Sequence, residues 1–334
     1  MPFNSLCPNP VLLAPMVGLT HYAVRNSVAG FLPAGQKAIW PTEMLNSRRI
    51  PHQRRDEFPE TLFLDRANGL CPQLLANEES FIRQSVPKLE DWGAVAIDIN
   101  MGCPVQKALK HNYGVALMGD PAYAAEVVRI TVAHAKVPVS VKLRAGSENQ
   151  GFDDLLRFIS GLYEAGASWI TLHPRTAEKK RKGDADWNLI RRLKQIFREE
   201  GKNRIIIGNG DVQCHEDILR MFEETECDRV MVGRAMIVKP WLIRNEVEPD
   251  PWTQGDLYGR FFKSVLRECR EHYALEAGLR RLRFLIVQGK PWVEYGETLY
   301  GRMMAARSYE DVDLALEKFF SQKQRIIRRT ALRT

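Results

Sequence analysis

With 334 residues, 45% of them hydrophobic, the chain can hold a domain of ~250 residues and a smaller one, and global disorder is excluded. The net charge of +7 is uneven: residues 251–334 hold 16 Lys and Arg against 10 Asp and Glu, and the first 250 hold 32 against 31. A nearly neutral body thus carries a basic end, suited to a polyanionic partner or to a solvated helical face.

Six cysteines, at 7, 71, 103, 214, 227 and 269, form no C-x-x-C pair and no Cys/His cluster with zinc spacing. No disulfide framework and no metal are indicated, and free thiols suit a reducing compartment. The start, MPFNSLCPNP, lacks a charged-then-apolar signal pattern, and no apolar run approaches the ~18–20 residues of a membrane helix. A cytoplasmic monomer without membrane contact is expected.

Taken in order, residues 11–16 form an apolar strand that meets a turn at Pro15, with Thr20 as N-cap of a helix from His21. A second strand spans Lys37 to Leu45. Residues 46–68 are polar and irregular, with Arg48, Arg49, His52, Arg54 and Arg55 on one rim. Leu70 to Leu75 is a third strand, weakened by Pro72 and carrying the polar Gln73. Glu78 to Trp92 has helical spacing.

Val95 to Ile99 is an apolar, mostly β-branched run broken only by Asp98, and reads as a fourth, buried strand. Asn100-Met-Gly-Cys-Pro104 ends it: Gly102 permits unusual backbone angles and Pro104 keeps Cys103 out of helical space. Cys103 is then either a buried structural cysteine or a thiol presented just past a strand end. A loop with Lys107, Lys110 and His111 follows. Helices Pro121–Ala135, Asp153–Ala165, Trp187–Glu200 and Glu216–Thr225 alternate with strands Val137–Arg144, Trp169–His173, Arg204–Gly208 and Asp228–Val232.

Eight alternating strands and helices over about 240 residues predict a (β/α)8 TIM barrel. After Pro249-Asp-Pro251 the pattern is helical only: Leu257–Tyr273, Leu279–Val287, Val293–Ala306 and Val312–Thr330. The expected organisation is an α/β barrel over residues 1–245 and a C-terminal all-helical bundle over 251–334.

Polar residues gather at the strand ends: Met16, Glu43, Gln73, Asn100, Cys103, Lys142, Arg144, His173, Asn209, Asp211 and Arg234. Gly208-Asn-Gly-Asp211 and Gly233-Arg234 follow strands seven and eight, where barrels of this class hold phosphate on backbone N–H groups. A phosphorylated flavin such as FMN suits the layout, with Lys142 near its ring, and so does a sugar phosphate.

These motifs resemble the tRNA-dihydrouridine synthases, FMN-dependent enzymes that reduce uridine in tRNA. The resemblance is carried by Leu13-Ala-Pro-Met-Val-Gly-Leu-Thr20, Thr42-Glu-Met44, Gln73-Leu74, Asn100-Met-Gly-Cys-Pro104, Gly114-Val-Ala-Leu-Met118 and Val141-Lys-Leu-Arg144. His173-Pro-Arg-Thr176, Gly183-Asp-Ala-Asp-Trp187, Asn209-Gly-Asp211, Met231-Val-Gly-Arg234 and Pro240-Trp241 extend it to about residue 242. Arg181 departs from the family, which often has an aromatic there, as do Pro72 and the 46–68 segment.

The resemblance implies FMN contacts from Ala14, Pro15, Met16, Gln73, Lys142, His173, Asn209, Gly210, Asp211, Gly233 and Arg234. It implies Cys103 as proton donor and Asn100 and Arg175 as substrate- or ring-side residues. NADPH or NADH would reduce the flavin, whose N5 passes hydride to C6 of a D-loop uracil while Cys103 protonates C5. An ordinary thiol titrates near ~8.5 and is protonated at neutral pH. The basic end, with Arg280, Arg281, Arg283, Lys323, Arg325, Arg328 and Arg329, would hold tRNA phosphates. The alternatives are a dihydroorotate-type oxidoreductase acting on free pyrimidines, which needs no basic tail, and a non-catalytic RNA-binding barrel.

Overall fold

The computed structural model describes residues 3–55, 69–103, 111–180 and 182–331. Pro104, Lys107, Lys110, Arg181 and residues 56–68, which carried sequence expectations, lie outside them. The strands are β1 (Val11–Leu13), β2 (Trp40–Asn46), β3 (Leu70–Leu75), β4 (Ile97–Met101), β5 (Val139–Arg144), β6 (Trp169–His173), β7 (Ile206–Asn209) and β8 (Arg229–Val232). All pair in parallel, in the order β2 to β8 and then β1. β1 and β2 meet at the seam without a ladder pair among the described residues. The TIM barrel is borne out.

The helices are α1 (Phe3–Leu6), α2 (Tyr22–Ala29), α3 (Glu79–Asp91), α4 (Pro121–His134), α5 (Phe152–Glu164), α6 (Asn188–Glu199), α7 (His215–Thr225), α8 (Pro251–His272), α9 (Leu275–Gly289), α10 (Gly296–Ala305) and α11 (Tyr309–Phe320). Alternation along each strand sorts the cores. Ile97, Ile99 and Met101 of β4 join the apolar layer under the helices. Cys71, Ala96, Trp169 and Ile207 point inward and fill the N-terminal end of the barrel with Cys7 and Leu12, under α1.

Two local expectations are corrected. Thr20 does not cap α2: its Oγ1 donates to Met16 O and accepts from Met16 N, so it closes the turn after β1, and His21 occupies the cap position without a side-chain bond. The last helix stops at Phe320, ten residues before Thr330. Gln324 Nε2 takes the Phe319 carbonyl at 2.8 Å, and the chain continues extended, with Ile326 bridged to Val293. Beyond it Lys239 Nζ holds Arg328 O at 3.1 Å and Arg329 pairs with the buried Asp217 at 2.6 Å.

The C-terminal helices share one apolar core with the barrel, α8 lying along α2, where Ser27 and Ser264 hydroxyls meet at 3.0 Å.

Candidate active site

A cavity of about 310 Å³ opens at the C-terminal ends of the strands. Ala14, Pro15 and Met16 line it from β1, Lys142 and Arg144 from β5, His173 from β6, Asn209, Gly210 and Asp211 from β7, and Gly233 and Arg234 from β8. Ten of the eleven positions expected to hold a cofactor thus share one cavity, and Gln73 is the one that does not line it. Phe284 and Gln288 of α9 complete its wall. Sequence reasoning missed both, because nothing in the helical pattern says which face of α9 meets the barrel.

The cavity is electropositive. Among the described residues Asp211 is the one carboxylate that lines it, against Lys142, Arg144, Arg175 and Arg234. Burial, with Arg144 beside it, brings Lys142 down to about 8, opposed by Asp98. His173 is held well below the usual histidine range, first by burial and then by Lys142, Arg144, Arg175 and Arg234. A neutral His173 among cations marks a place for an anion.

Arg175, expected on the substrate or ring side, is spent inside the wall. Its Nη2 reaches both Asp211 oxygens at 2.6 Å and Gly183 O at 2.7 Å, and its Nη1 lies 3.1 Å from His173 Nε2. Asp211 also accepts from Ala185 N at 2.7 Å, and Trp187 Nε1 donates to Gly210 O at 3.0 Å. The turn after β7 is thereby tied to the 183–187 segment. Gly210, at φ 118°, admits this packing, since a Cβ would lie 2.9 Å from the His173 ring and from Ala185.

The thiol lies on the neighbouring strands. Cys103, 9% exposed, packs with Tyr113, Met44 and Leu75. Its carbonyl accepts from Val115 N at 3.1 Å. Gly114, at φ 62°, is required there, because a Cβ would lie 2.6 Å from that carbonyl. Arg144 Nε donates to Gly102 O at 3.0 Å from the other side.

Asn100 Oδ1 accepts from Gly102 N at 3.1 Å and Cys103 N at 2.9 Å, while its Nδ2 donates to Gln73 Oε1 at 2.8 Å. Gln73 Nε2 donates to Asp98 at 2.7 Å, and Ser140 Oγ to the other Asp98 oxygen at 2.6 Å. Gln73 N in turn donates to Thr42 Oγ1 at 3.0 Å, at the point where β2 shifts register. Burial raises Asp98 above the usual carboxylate range, against the pull of Gln73, Ser140 and Lys142. Asp98 was not singled out as a site residue, although a charge inside a mostly β-branched run was the signal.

On α9, Arg280 is exposed. Arg281 stacks over Tyr273 at 4.4 Å, and Arg283 Nη2 donates to Ala306 O at 2.6 Å. In the tail, Arg328 pairs with Glu216 at 2.7 Å. The basic end is therefore partly committed to its own fold.

A family model described as "Dihydrouridine synthase (Dus)" matches residues 12–288. A probable tRNA-dihydrouridine synthase of Aquifex aeolicus (strain VF5) is 36% identical over 292 residues, 85% of this chain and 80% of that protein. Probable tRNA-dihydrouridine synthase 1 of Synechocystis sp. (strain ATCC 27184 / PCC 6803 / Kazusa) is 35% identical over 239 residues, 71% of this chain and 64% of that protein. The match therefore spans less than two thirds of the Synechocystis relative. Among solved structures, histamine dehydrogenase from Rhizobium sp. 4-9 aligns with TM-score 0.51 at 13% identity, over 71% of this chain and 45% of that one. The 6-hydroxypseudooxynicotine amine oxidase of Pseudomonas geniculata N1 gives TM-score 0.52 at 9% identity, over 70% and 46%. At such identities the likeness is one of fold. Among the described residues no helix is long and apolar enough to cross a membrane.

Proposed function

The chain belongs to the dihydrouridine synthase family, and from that premise we propose that it reduces D-loop uridine in tRNA to 5,6-dihydrouridine, with FMN bound and NADPH or NADH as reductant. One observation carries this reading: Arg144, in the wall of an electropositive cavity at the mouth of the barrel, is hydrogen-bonded to the loop that carries Cys103.

The residues present fit FMN. The turn at Asn209-Gly210-Asp211 and the Gly233-Arg234 pair suit a phosphate, Lys142 suits the electron-rich edge of the ring, and a neutral His173, whose Nε2 accepts from Arg175, keeps an Nδ1–H to donate. Bound here and reduced, FMN would supply the hydride that the uracil takes at C6, and Cys103 would hold the proton destined for C5. Asn100 holds the Cys103 backbone in place, and Arg175 braces the turn after β7 from the cavity wall. The target base must leave its stack to reach this mouth. Residues 251–334 form the proposed tRNA-holding domain, with the exposed Arg280 as its phosphate contact on α9.

The test is an absorption spectrum of the purified protein, anaerobic reduction with NADPH, and reoxidation with unmodified tRNA. Flavin bands near ~450 nm that bleach and then return with tRNA are expected. A yellow protein reoxidised by free uracil but not by tRNA would replace this substrate, and a colourless protein that FMN cannot reconstitute would overturn the reading.

A further inference from the structure

Asp98 is a buried carboxylate on the inward face of β4, and both its oxygens are engaged. From it a chain of hydrogen bonds runs through Gln73 and Asn100 to the backbone of Gly102 and Cys103. Side-chain amides can be turned end for end, so their polarity needs a cause. Here both ends of the chain supply one. Backbone N–H groups only donate, which turns the Asn100 oxygen toward the thiol loop. An ionised carboxylate only accepts, which turns the Gln73 NH2 toward Asp98. Between such ends two amides have one arrangement that satisfies every atom.

The sheet register brings the parts together. Gln73, Asp98 and Ser140 are partners across β3, β4 and β5, and Asn100 follows Asp98 by two residues on the same face. Were Asp98 neutral, Gln73 could turn over and present its NH2 to Asn100. Asn100 would then have to offer its own NH2 to the backbone N–H groups of the loop, and the bonds that hold Gly102 and Cys103 would be lost.

We propose that Asp98 is a positioning residue: its carboxylate sets the polarity of the Gln73–Asn100 relay and, through it, the backbone that carries Cys103. The effect on turnover rests on the proposed role of Cys103 as proton donor, whereas the effect on the loop does not. Asp98 never touches the reacting atoms in this account.

The loop can be read through the thiol. Cys103 is 9% exposed and the other five cysteines 5% or less, so alkylation of the folded protein reports on Cys103 first. The experiment compares iodoacetamide labelling of the Cys103 peptide, followed by mass spectrometry, in the holoprotein and in its Asp98→Asn and Asp98→Asn/Gln73→Glu variants. In Asp98→Asn labelling should speed up about five-fold, the scale of one lost hydrogen bond. Its kcat on tRNA should fall with KM unchanged. In the double variant the carboxylate now at position 73 accepts from the amides at positions 98 and 100. Polarity at Asn100 is restored, and labelling should return toward the wild-type rate.

A wild-type labelling rate in Asp98→Asn, or a double variant that labels as fast as the single one, overturns the proposal. Cys103→Ala is assayed alongside. Full turnover in that variant would remove the acid assignment and leave the labelling comparison standing.

Discussion

The two ends of the barrel interior differ within two residues of β3, β4, β6 and β7. Cys71, Ala96, Trp169 and Ile207 belong to the apolar layer packed against α1. Two positions further along the same faces stand Gln73, Asp98, Thr171 and Asn209. That step is only about 7 Å of strand, yet it separates a layer that contributes stability by burial from one of buried polar groups, where Gln73, Asp98 and Asn209 are hydrogen-bonded and Thr171 Oγ1 is not. The cysteines show the same contrast. Burial pushes the Cys7 thiol up to about 11 and raises Cys71 as well, so both are poor nucleophiles. Cys103 instead sits on a loop held by Asn100, Val115 and Arg144. The lower layer holds the barrel together, and the upper one holds groups in place.

The comparison can be broken most severely at Cys103. Cys103→Ala should keep its flavin and lose about 10²–10⁴ in turnover on tRNA, the range for a lost general acid; single-turnover kinetics with reduced protein would measure it. At the other end, Trp169→Ala removes a ring packed 5.1 Å from Phe3. It should cost about 3–5 kcal/mol in urea unfolding while leaving kcat of the folded fraction near wild type. A large kcat loss without a stability loss would dissolve the distinction between the layers.

A subtler probe is pH. Lys142 of the ligand-free protein has its pKa lowered to about 8, so it is charged below that pH and neutral above it. An anion binds the charged form, and FMN affinity of the apoprotein should therefore weaken as pH rises through about 8. The loss is bounded at about tenfold per pH unit for one proton. Fluorescence titration from pH 7 to 9.5 would show it, and Lys142→Ala should be weaker throughout and flat. The smallest effect is expected from Arg280→Glu, a few-fold loss of tRNA affinity that shrinks with added salt. Filter binding at two salt concentrations would register it, and an unchanged affinity would take α9 out of the tRNA surface.

How much was legible depended on the range of each interaction. The Trp169–His173 strand and the Asn209-Gly-Asp turn were readable because alternation, β-branching and glycine act locally. The final helix was misread because the polarity of Ser321 to Gln324 continues a helical pattern acceptably. What stops it is the contact of the tail with α8, where Ile326 N donates to Pro251 O at 3.1 Å. The bond between Arg175 and Asp211 was illegible for a similar reason, since the two lie 36 positions apart.

By itself the sequence determined eight strands, their order, and that polar residues end them on one side, because side-chain period and turn chemistry are properties of short segments. Only the tertiary structure decided what those residues do to one another. The relay from Asp98 to Cys103 links β3, β4 and β5 through pairs 25, 27 and 42 residues apart. Such pairs come into being when parallel strands fall into register, and register is fixed by packing across the whole barrel rather than by any one stretch of chain.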